Sequence, residues 1–239
     1  MRILGVRVDC LDMPGAVAEI ERLVAQGGPT HLVATVNPEF VMRARRDARF
    51  REALEGGSLN LADGIGVVWA MRRQGCPQVE RVPGADLVPL LAQSCAARGW
   101  RPFLLGAGPG VAEEAARRLE AAHPGLRVAG THGGSPDPED DAEALRRIAA
   151  ARPDLLLVAY GAPQQELWIV RNRQRLGVPV AIGVGGTLDF LAGRVRRAPR
   201  WMRRAHLEWL WRLALQPSRS RRMAVLPAFA LAVLRSLDR

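Results

Sequence analysis

Apolar runs and stretches with helical periodicity alternate along most of the chain. Short apolar runs that end in glycine or a small polar residue predict strands, and apolar positions recurring with helical spacing predict helices. The predicted strands cover residues 31–36, 59–62, 102–105, 126–130, 154–160 and 179–184, and residues 3–8 are predicted to form a short first strand or an edge hairpin. The predicted helices cover residues 14–25, 38–54, 66–72, 85–97, 111–122 and, after a capping segment, 141–151. This alternation predicts an α/β fold, a Rossmann-like, mostly parallel sheet flanked by helices, with the very apolar run 154–160 near its centre.

Small polar residues stand where two of these predicted strands end. Thr35 and Asn37 close one run, and Asp63 followed by Gly64 closes the next. The carboxyl ends of parallel strands meet at one edge of a sheet, where ligands bind, so Asn37 and Asp63 should face one crevice. Asn37 also suits a plain helix cap and Asp63 a plain turn. Arg81, shortly downstream, would add a guanidinium to the hydroxyl, amide and carboxylate, and the combination favours a ligand site.

A glycine turn follows the predicted strand at residues 102–105. Gly106 and Gly108 lie between that strand and the next helix, where free N–H groups can hold phosphate oxygens. Alone, this is a weak signal. A nicotinamide-binding unit would need an acidic residue at the end of the following strand, and residues 131–134 offer none. The lack of this acidic residue counts against a dehydrogenase.

The composition changes abruptly after Gly193. Arginine and tryptophan become frequent, and acidic residues nearly disappear. We therefore expect a core at residues 1–193 and a basic helical appendage at residues 194–239. Arginine with tryptophan suits a membrane interface, where indoles lie at headgroup depth and guanidinium groups meet phosphate. Packing of Trp209 or Trp211 against the core and RNA binding are the alternatives, although no recognisable nucleic-acid module is present.

The formal charge of +10 over 239 residues comes from arginine alone, because the chain has no lysine. Such a charge requires either a reason to tolerate self-repulsion or an anionic partner, which can be nucleic acid, anionic lipid or a phosphorylated substrate. The lack of lysine excludes Schiff-base chemistry and a Walker-type phosphate grip. Several arginines crowd the outer face of the predicted helix at 38–54, which we interpret as an ordinary solvated face. They are Arg43, Arg45, Arg46, Arg49 and Arg51.

The three cysteines, Cys10, Cys76 and Cys95, are odd in number and widely spaced. This spacing predicts free thiols in a reducing compartment, and neither a disulfide nor a zinc site. The first residues carry charges where a signal peptide needs an unbroken apolar run. No run approaches the roughly 20 apolar residues that a membrane span needs. We therefore expect a protein that is neither exported nor membrane-spanning.

Several longer motifs occur in a fixed order. Thr-x-Asn-Pro-Glu begins at Thr35, Ala-Asp-Gly-Ile-Gly-Val at Ala62 and Arg-x-x-Gly-x-Asp at Arg81. Further motifs occupy residues 161–166, 185–190, 197–199 and 208–213. Together they resemble the WecG/TagA/CpsF glycosyltransferases over nearly the whole chain, and several long motifs in matching order are far more specific than any one of them.

The resemblance implies an inverting glycosyltransferase with a Rossmann-like core. The implied donor is a UDP-sugar that carries N-acetylmannosamine, its uronate or a related hexose. The implied acceptor is N-acetylglucosamine linked to polyprenyl diphosphate, in the synthesis of teichoic acid or exopolysaccharide. Such an enzyme would be cytoplasmic, attached peripherally to the inner face of the cell membrane and without a nucleic-acid partner, with a homo-oligomer as one option. A non-catalytic module that binds nucleotide sugar or nucleic acid is the alternative from another class.

The resemblance also implies roles for individual residues. Asp63 matches the family's proposed catalytic base. Asn37 and Thr35 correspond to residues that line the sugar site, and Arg81 and Gln165 match positions near the donor or acceptor. Appendage arginines expected to close over the site are Arg212, Arg219 and Arg222. The other candidate substrate-binding residues are Gly64, Gly84, Asp86, Gly106, Gly108, Gly161, Gly185, Gly186, Asp189, Arg197 and Glu208.

The sequence has no Asp-x-Asp pair of the kind that clamps magnesium against a diphosphate. We therefore expect neither a metal nor another cofactor. Arginine side chains and glycine-loop N–H groups would instead meet the charge of the leaving diphosphate. One residue departs from the family's pattern, because Gln164 stands before Gln165 where a basic residue is usual.

Overall fold

A parallel sheet organises the part of the chain that the computed structural model describes, which comprises residues 1–199, 201–202, 208–215 and 224–237. The strands are β1 Arg2–Ile3, β2 Val6–Arg7, β3 His31–Val36, β4 Leu59–Ala62, β5 Pro102–Gly106, β6 Gly130–His132, β7 Leu155–Ala159 and β8 Val180–Gly183. Six of them form one sheet in the order β4-β3-β8-β7-β5-β6, in which all neighbours run parallel. Strands β1 and β2 form a separate antiparallel hairpin. The predicted Rossmann-like α/β fold is confirmed.

Helices fill the connections between the strands. They are α1 Met13–Gln26, α2 Pro38–Ala44, α3 Ala48–Glu55, α4 Ile65–Arg73, α5 Gly84–Arg98, α6 Val111–Ala122, α7 Asp141–Ala151, α8 Gln164–Asn172, α9 Thr187–Leu191, α10 Glu208–Leu215 and α11 Val225–Leu237. Several begin or end at residues that stabilise a helix terminus. The Asp12 carboxylate accepts a hydrogen bond from the Gly15 N–H at 2.8 Å and so caps α1. Helix α5 ends at Gly99, whose left-handed φ of 71° suits glycine.

Both faces of the sheet are covered, as a parallel sheet requires. Helices α1, α5, α6 and α9 cover one face, where Leu157 and Ile182 belong to the core. Helices α7 and α8 cover part of the other face, where Val158 packs with the fully buried Trp168. All residues of β7 are buried, and β7 lies between β8 and β5 inside the sheet. The most apolar run is therefore an interior strand, as predicted.

Two predicted boundaries were wrong. The single helix predicted at 38–54 is two helices, because the N–H groups of Arg46 and Asp47 both return to the Arg43 carbonyl and end α2. The Asp47 carboxylate then accepts from the Phe50 N–H at 3.1 Å and caps α3. The strand predicted at 126–130 is β6, which begins only at Gly130, since the preceding N–H of Val128 donates to Glu120 of α6 instead of to the sheet.

The cysteine prediction was also wrong in part. Cys10 and Cys76 form a disulfide, with their Cα atoms 6.3 Å apart. A separation of 66 residues in the sequence hides this proximity, which arises because both cysteines pack in the cluster around the β1–β2 hairpin. Cys95 is a free thiol, as predicted, and burial raises its pKa to about 12. That thiol is therefore protonated and unreactive at neutral pH.

Helix α11 packs onto the core rather than standing away from it. Phe229 and Val233, one turn apart, are 2% and 0% exposed and share a hydrophobic cluster with residues of α2 and α4. The Phe229 ring lies against Gly66 of α4, where an added Cβ would meet the ring at 3.4 Å. No helix within the described ranges is both long and apolar enough to cross a membrane. The division of the chain at residue 193 stays a prediction.

Phe229→Ala should lower the free energy of unfolding by about 3–5 kcal/mol, because it empties the space of a buried aromatic ring. Urea denaturation of the full-length chain measures the change. Leu231→Ala is the matched control, since Leu231 lies on the same helix but is 49% exposed. Its effect should stay within about 0.5 kcal/mol. Equal, small effects from both substitutions would show that α11 is not part of the core.

Candidate active site

A crevice of about 140 Å³ opens at the carboxyl edge of the sheet, where β4, β3, β8 and β7 end. The chain leaves β3 toward α2 on one face and leaves the adjacent β8 toward α9 on the other, which opens a gap between the two strands. The crevice is lined by Thr35, Asn37, Glu39, Phe40, Asp63, Pro83, Gly84, Ala85, Gly161, Ala162, Gln165, Val184, Gly185, Gly186 and Thr187. Four of the five residues predicted to be catalytic are among them.

Asp63 enters the crevice directly after β4. Its backbone N–H donates to the Val36 carbonyl at 2.8 Å, which extends the pairing of β3 with β4 by one residue. Gly64 follows as the cap of α4, and a Cβ there would lie 2.7 Å from the Pro38 ring. The two strand ends are therefore in close contact, and only glycine fits between them. The half-buried Asp63 is held beside Asn37 by this backbone packing.

Asn37 has both of the roles considered for it. Its side-chain oxygen accepts from the N–H groups of Glu39 and Phe40, at 2.9 Å and 3.2 Å, and so caps α2. The same residue lines the crevice. Thr35, which is 6% exposed, donates from its hydroxyl to the Gly183 carbonyl of β8 at 3.3 Å. The hydrogen bonds of both side chains fix their orientation before any ligand arrives.

Gln165 joins two of the loops that surround the crevice. Its side-chain oxygen accepts from the Gly161 N–H at 3.1 Å and from the Gly185 N–H at 3.0 Å. One carboxamide therefore connects the end of β7 to the end of β8. Its side-chain nitrogen donates to Glu166 at 2.6 Å. Gln165 is 2% exposed, so its main role within the chain itself is to hold these loops together.

Glu166 is a buried carboxyl group that the sequence motif contained but did not single out. It is completely buried, and burial raises its pKa to about 7 despite the hydrogen bond from Gln165. Its second oxygen meets no hydrogen-bond partner among the residues described. Gly183 makes room for the pair, because a Cβ there would collide with the side chains of both Glu166 and Gln165. The only sequence signal was an acidic residue at the start of an otherwise apolar helix face.

Arg81 and Asp86 lie outside the crevice lining. Arg81 is half-buried and precedes Val82, whose N–H donates to the Ala62 carbonyl at the end of β4. Asp86, in the first turn of α5, forms a bidentate ion pair with Arg197, with N–O distances of 2.7 Å and 3.0 Å. This pair holds the chain that follows α9 against α5. The sequence predicted Asp86 and Arg197 as separate substrate contacts, whereas the structure shows that they pair with each other.

The predicted glycines divide into two groups. Gly161, Gly185 and Gly186 line the crevice, and so does Gly84, where a Cβ would lie 2.8 Å from the Thr187 hydroxyl. Gly106 and Gly108 follow β5, farther along the sheet edge, and are not among the lining residues. Gly106 packs so closely on the Ala159 backbone that a Cβ would lie 2.9 Å away.

The remaining candidates are on or beyond α9. Asp189 lies in α9, and its carbonyl accepts from the N–H groups of Arg194 and Val195, outside the crevice lining. Glu208 and Arg212 lie on α10. Arg219 and Arg222 fall outside the residues that the structure describes.

The amino termini of α4, α5 and α8 lie at the crevice edge. Asp63 precedes α4, Gly84 begins α5 and Gln165 is in the first turn of α8. The partial positive charge at a helix amino terminus favours anions such as phosphate. Within the ranges that the structure covers, no cluster of three or more His, Cys, Asp or Glu side chains could hold a metal ion. A carboxylate, a hydroxyl, an amide and three helix amino termini together suit deprotonation of a hydroxyl group beside a phosphorylated ligand.

Known proteins are similar in sequence to this chain over most of its length. A model of the glycosyl transferase WecG/TagA/CpsF family matches residues 1–239. A relative from Bacillus spizizenii is 34% identical over 224 residues, which cover 94% of this chain and 86% of the relative. One from Bacillus subtilis is 36% identical, covering 85% and 79%, and one from Staphylococcus aureus is 33% identical, covering 98% and 92%. All three are named N-acetylglucosaminyldiphosphoundecaprenol N-acetyl-beta-D-mannosaminyltransferase.

Glu166→Gln should change how stability depends on pH. Because the folded-state pKa of Glu166 lies near 7 and above its unfolded value of about 4.3, its stabilising contribution is complete in acid and disappears as the pH rises through 7. The wild-type free energy of unfolding should therefore fall, relative to that of Glu166→Gln, by about 3 kcal/mol between pH 4 and pH 8. Urea unfolding across this range measures the difference. Parallel curves would show that the carboxyl is not buried in this way.

Proposed function

The chain belongs to the WecG/TagA/CpsF family of glycosyltransferases, and on this premise we propose that it moves N-acetylmannosamine, or a closely related hexose, from a UDP-sugar to N-acetylglucosamine linked to polyprenyl diphosphate. That it is a glycosyltransferase follows from the full-length family match and from relatives named as mannosaminyltransferases. The non-catalytic alternative is therefore set aside. The acceptor is proposed from the names of those relatives, and the UDP-sugar is proposed from the family resemblance.

In the proposed mechanism, Asp63 is the general base. The acceptor hydroxyl attacks the anomeric carbon on the side opposite the diphosphate, and a new C–O bond forms as the bond from that carbon to UDP breaks. The hydroxyl proton passes to Asp63, and the configuration inverts. The observation that carries this proposal is the position of Asp63 in the crevice beside Thr35, Asn37 and Gln165. A positioned carboxylate of this kind accelerates such a step by on the order of 10²–10⁴.

UDP leaves with additional negative charge, which the proposed site meets without a metal. The amino termini of α4, α5 and α8 supply partial positive charge that is already oriented. We assign the remaining stabilisation to Arg81 and to the appendage arginines Arg212, Arg219 and Arg222, whose guanidinium groups match the geometry of a diphosphate. Thr35 and Asn37 contact the sugar in this proposal, because both line the crevice.

The proposed location is the inner face of the cell membrane, with the protein attached peripherally. A lipid-linked acceptor requires the enzyme to work at a membrane surface. Residues 194–239 are the proposed attachment, since arginine and tryptophan suit the headgroup region. In the described part of this segment, Trp201 is 65% exposed and Leu210 is 43% exposed. Exposed apolar side chains on a strongly basic segment are what such a surface needs.

Asp63→Asn should reduce turnover by about 10²–10⁴-fold, because an amide keeps the shape of the side chain but cannot take the proton. UDP affinity and the unfolding midpoint should stay near the wild-type values. Release of UDP from UDP-N-acetylmannosamine in the presence of a lipid-linked acceptor measures turnover. Glu39→Gln is the matched comparison, since Glu39 is the other carboxylate that lines the crevice. Near-normal turnover in Asp63→Asn with a large loss in Glu39→Gln would reassign the base.

Turnover should survive excess EDTA. The sequence lacks an Asp-x-Asp clamp for a metal ion. Its many arginine side chains can instead bind the diphosphate charge directly. The same UDP-release assay, run with and without EDTA after dialysis, gives the comparison. Complete loss of turnover that magnesium or manganese restores would reveal a metal site and overturn this part of the mechanism.

A further inference from the structure

A second cavity adjoins the crevice and is larger. It has a volume of about 460 Å³ and lies between α2, α3 and the start of α11. Glu39, Phe40 and Ala162 line both cavities, so the two spaces share a wall. The second cavity continues from there toward Phe50 of α3 and Val225 of α11. We call this second cavity the acceptor groove.

The size of the crevice requires additional space for substrate. Pockets that bury small-molecule ligands usually measure about 300–1,000 Å³, and the crevice measures about 140 Å³. A sugar nucleotide and a lipid-linked sugar cannot both fit there. At least one substrate must extend past a wall of the crevice, and the shared wall at Phe40 and Ala162 leads into the groove.

The lining of the groove indicates which part of the substrates binds there. Phe40, Met42, Phe50, Ala162 and Val225 make most of its surface apolar. Uracil and ribose need several polar partners, whereas the polar lining residues, Glu39, Arg43, Arg46 and Asp47, supply the smaller part of the surface. A hydrocarbon chain needs none, and each CH₂ group that it buries favours binding. The groove therefore suits the lipid of the acceptor better than the nucleotide of the donor.

Basic side chains stand beside the apolar lining. Arg43 lies on α2 and Arg46 lies in the turn that follows it, and both line the groove. Arg43 is 3.7 Å from Asp47, which also lines it. Arg46 has no carboxylate partner among the residues that the structure describes. A guanidinium next to an apolar channel matches a lipid whose hydrocarbon begins at a diphosphate.

We propose that the acceptor groove binds the first isoprene units of the polyprenyl acceptor, with Arg46, assisted by Arg43, on its diphosphate. The inference rests on the proposed function. The acceptor sugar would occupy the crevice near Asp63, and the diphosphate would cross the shared wall. In this proposal, Arg43 and Arg46 bind the acceptor in addition to belonging to the solvated face that the sequence predicts. Arg49 is exposed and does not line the groove, which makes it a control.

The test uses the full-length protein with soluble acceptors, in which N-acetylglucosamine diphosphate carries alkyl chains of increasing length, without vesicles or detergent. Wild-type kcat/KM should rise with chain length and then level off once the groove is filled. Met42→Gln should lose about tenfold of that gain, because it replaces an apolar wall by a polar group of similar size. Val225→Asn changes the opposite wall and should act in the same way if Met42→Gln does not fold.

Arg46→Ala should raise KM for every diphosphate acceptor by about tenfold with little change in kcat, the signature of lost ground-state binding. Arg49→Ala should match the wild type. The dissociation constant for UDP, measured by calorimetry, should be unchanged in both variants. Weaker UDP binding in Arg46→Ala, with the acceptor KM preserved, would assign the groove to the donor and overturn the proposal.

Binding of farnesyl diphosphate separates this proposal from the proposed function. The wild type should bind farnesyl diphosphate more tightly than inorganic diphosphate. Met42→Gln should reduce that preference, whereas Arg46→Ala should weaken the binding of both ligands. This result would support the groove even if no UDP-sugar were turned over. Turnover that does not depend on acceptor chain length, with no preference for farnesyl diphosphate, would overturn the groove and leave the glycosyltransferase proposal standing.

Discussion

The site depends on one buried carboxamide. The side-chain oxygen of Gln165 accepts hydrogen bonds from N–H groups at the ends of two neighbouring strands. Its side-chain nitrogen donates to the carboxyl group of Glu166, which is fully buried. Loops usually move more than the strands that they follow, and here two loops share one acceptor atom. Gly183 is part of the same arrangement, because any side chain there would displace the pair. The geometry of the crevice is thus set from beneath, by groups that a substrate does not need to touch.

Close backbone contacts complete the rigid edge. Gly64 against Pro38 fixes the ends of β4 and β3, and Gly84 against Thr187 fixes the start of α5 on the start of α9. The side chains of Thr35, Asn37 and Asp63, which are proposed to act on substrate, therefore extend from positions that the sheet itself determines. The acceptor groove is different in origin, since it forms where α2, α3 and α11 meet around side chains rather than at strand ends. Chemistry and lipid binding would then belong to separate parts of one surface.

The sequence was informative wherever the controlling contacts are local. Apolar runs located the interior strands, and the polar ends at Asn37 and Asp63 identified the crevice. Capping by Asp47 was also local, but its effect was missed because the apolar spacing continued across the break. Contacts between distant segments could not be predicted, as the Cys10–Cys76 disulfide and the Asp86–Arg197 ion pair show. Glu166 was missed for a related reason, since burial of a carboxyl group depends on every element that packs around it.

The helix amino termini at the crevice have a consequence for how such an enzyme can diverge. Their positive potential comes from the backbone, so no single substitution deletes it and every descendant that keeps the fold inherits it. Affinity for an anionic leaving group is then a property of the architecture. In the proposed mechanism, recognition of a particular sugar falls instead to a few replaceable side chains such as Thr35 and Asn37. A lineage could exchange one hexose for another by changing those residues while the machinery for releasing the nucleotide stayed intact.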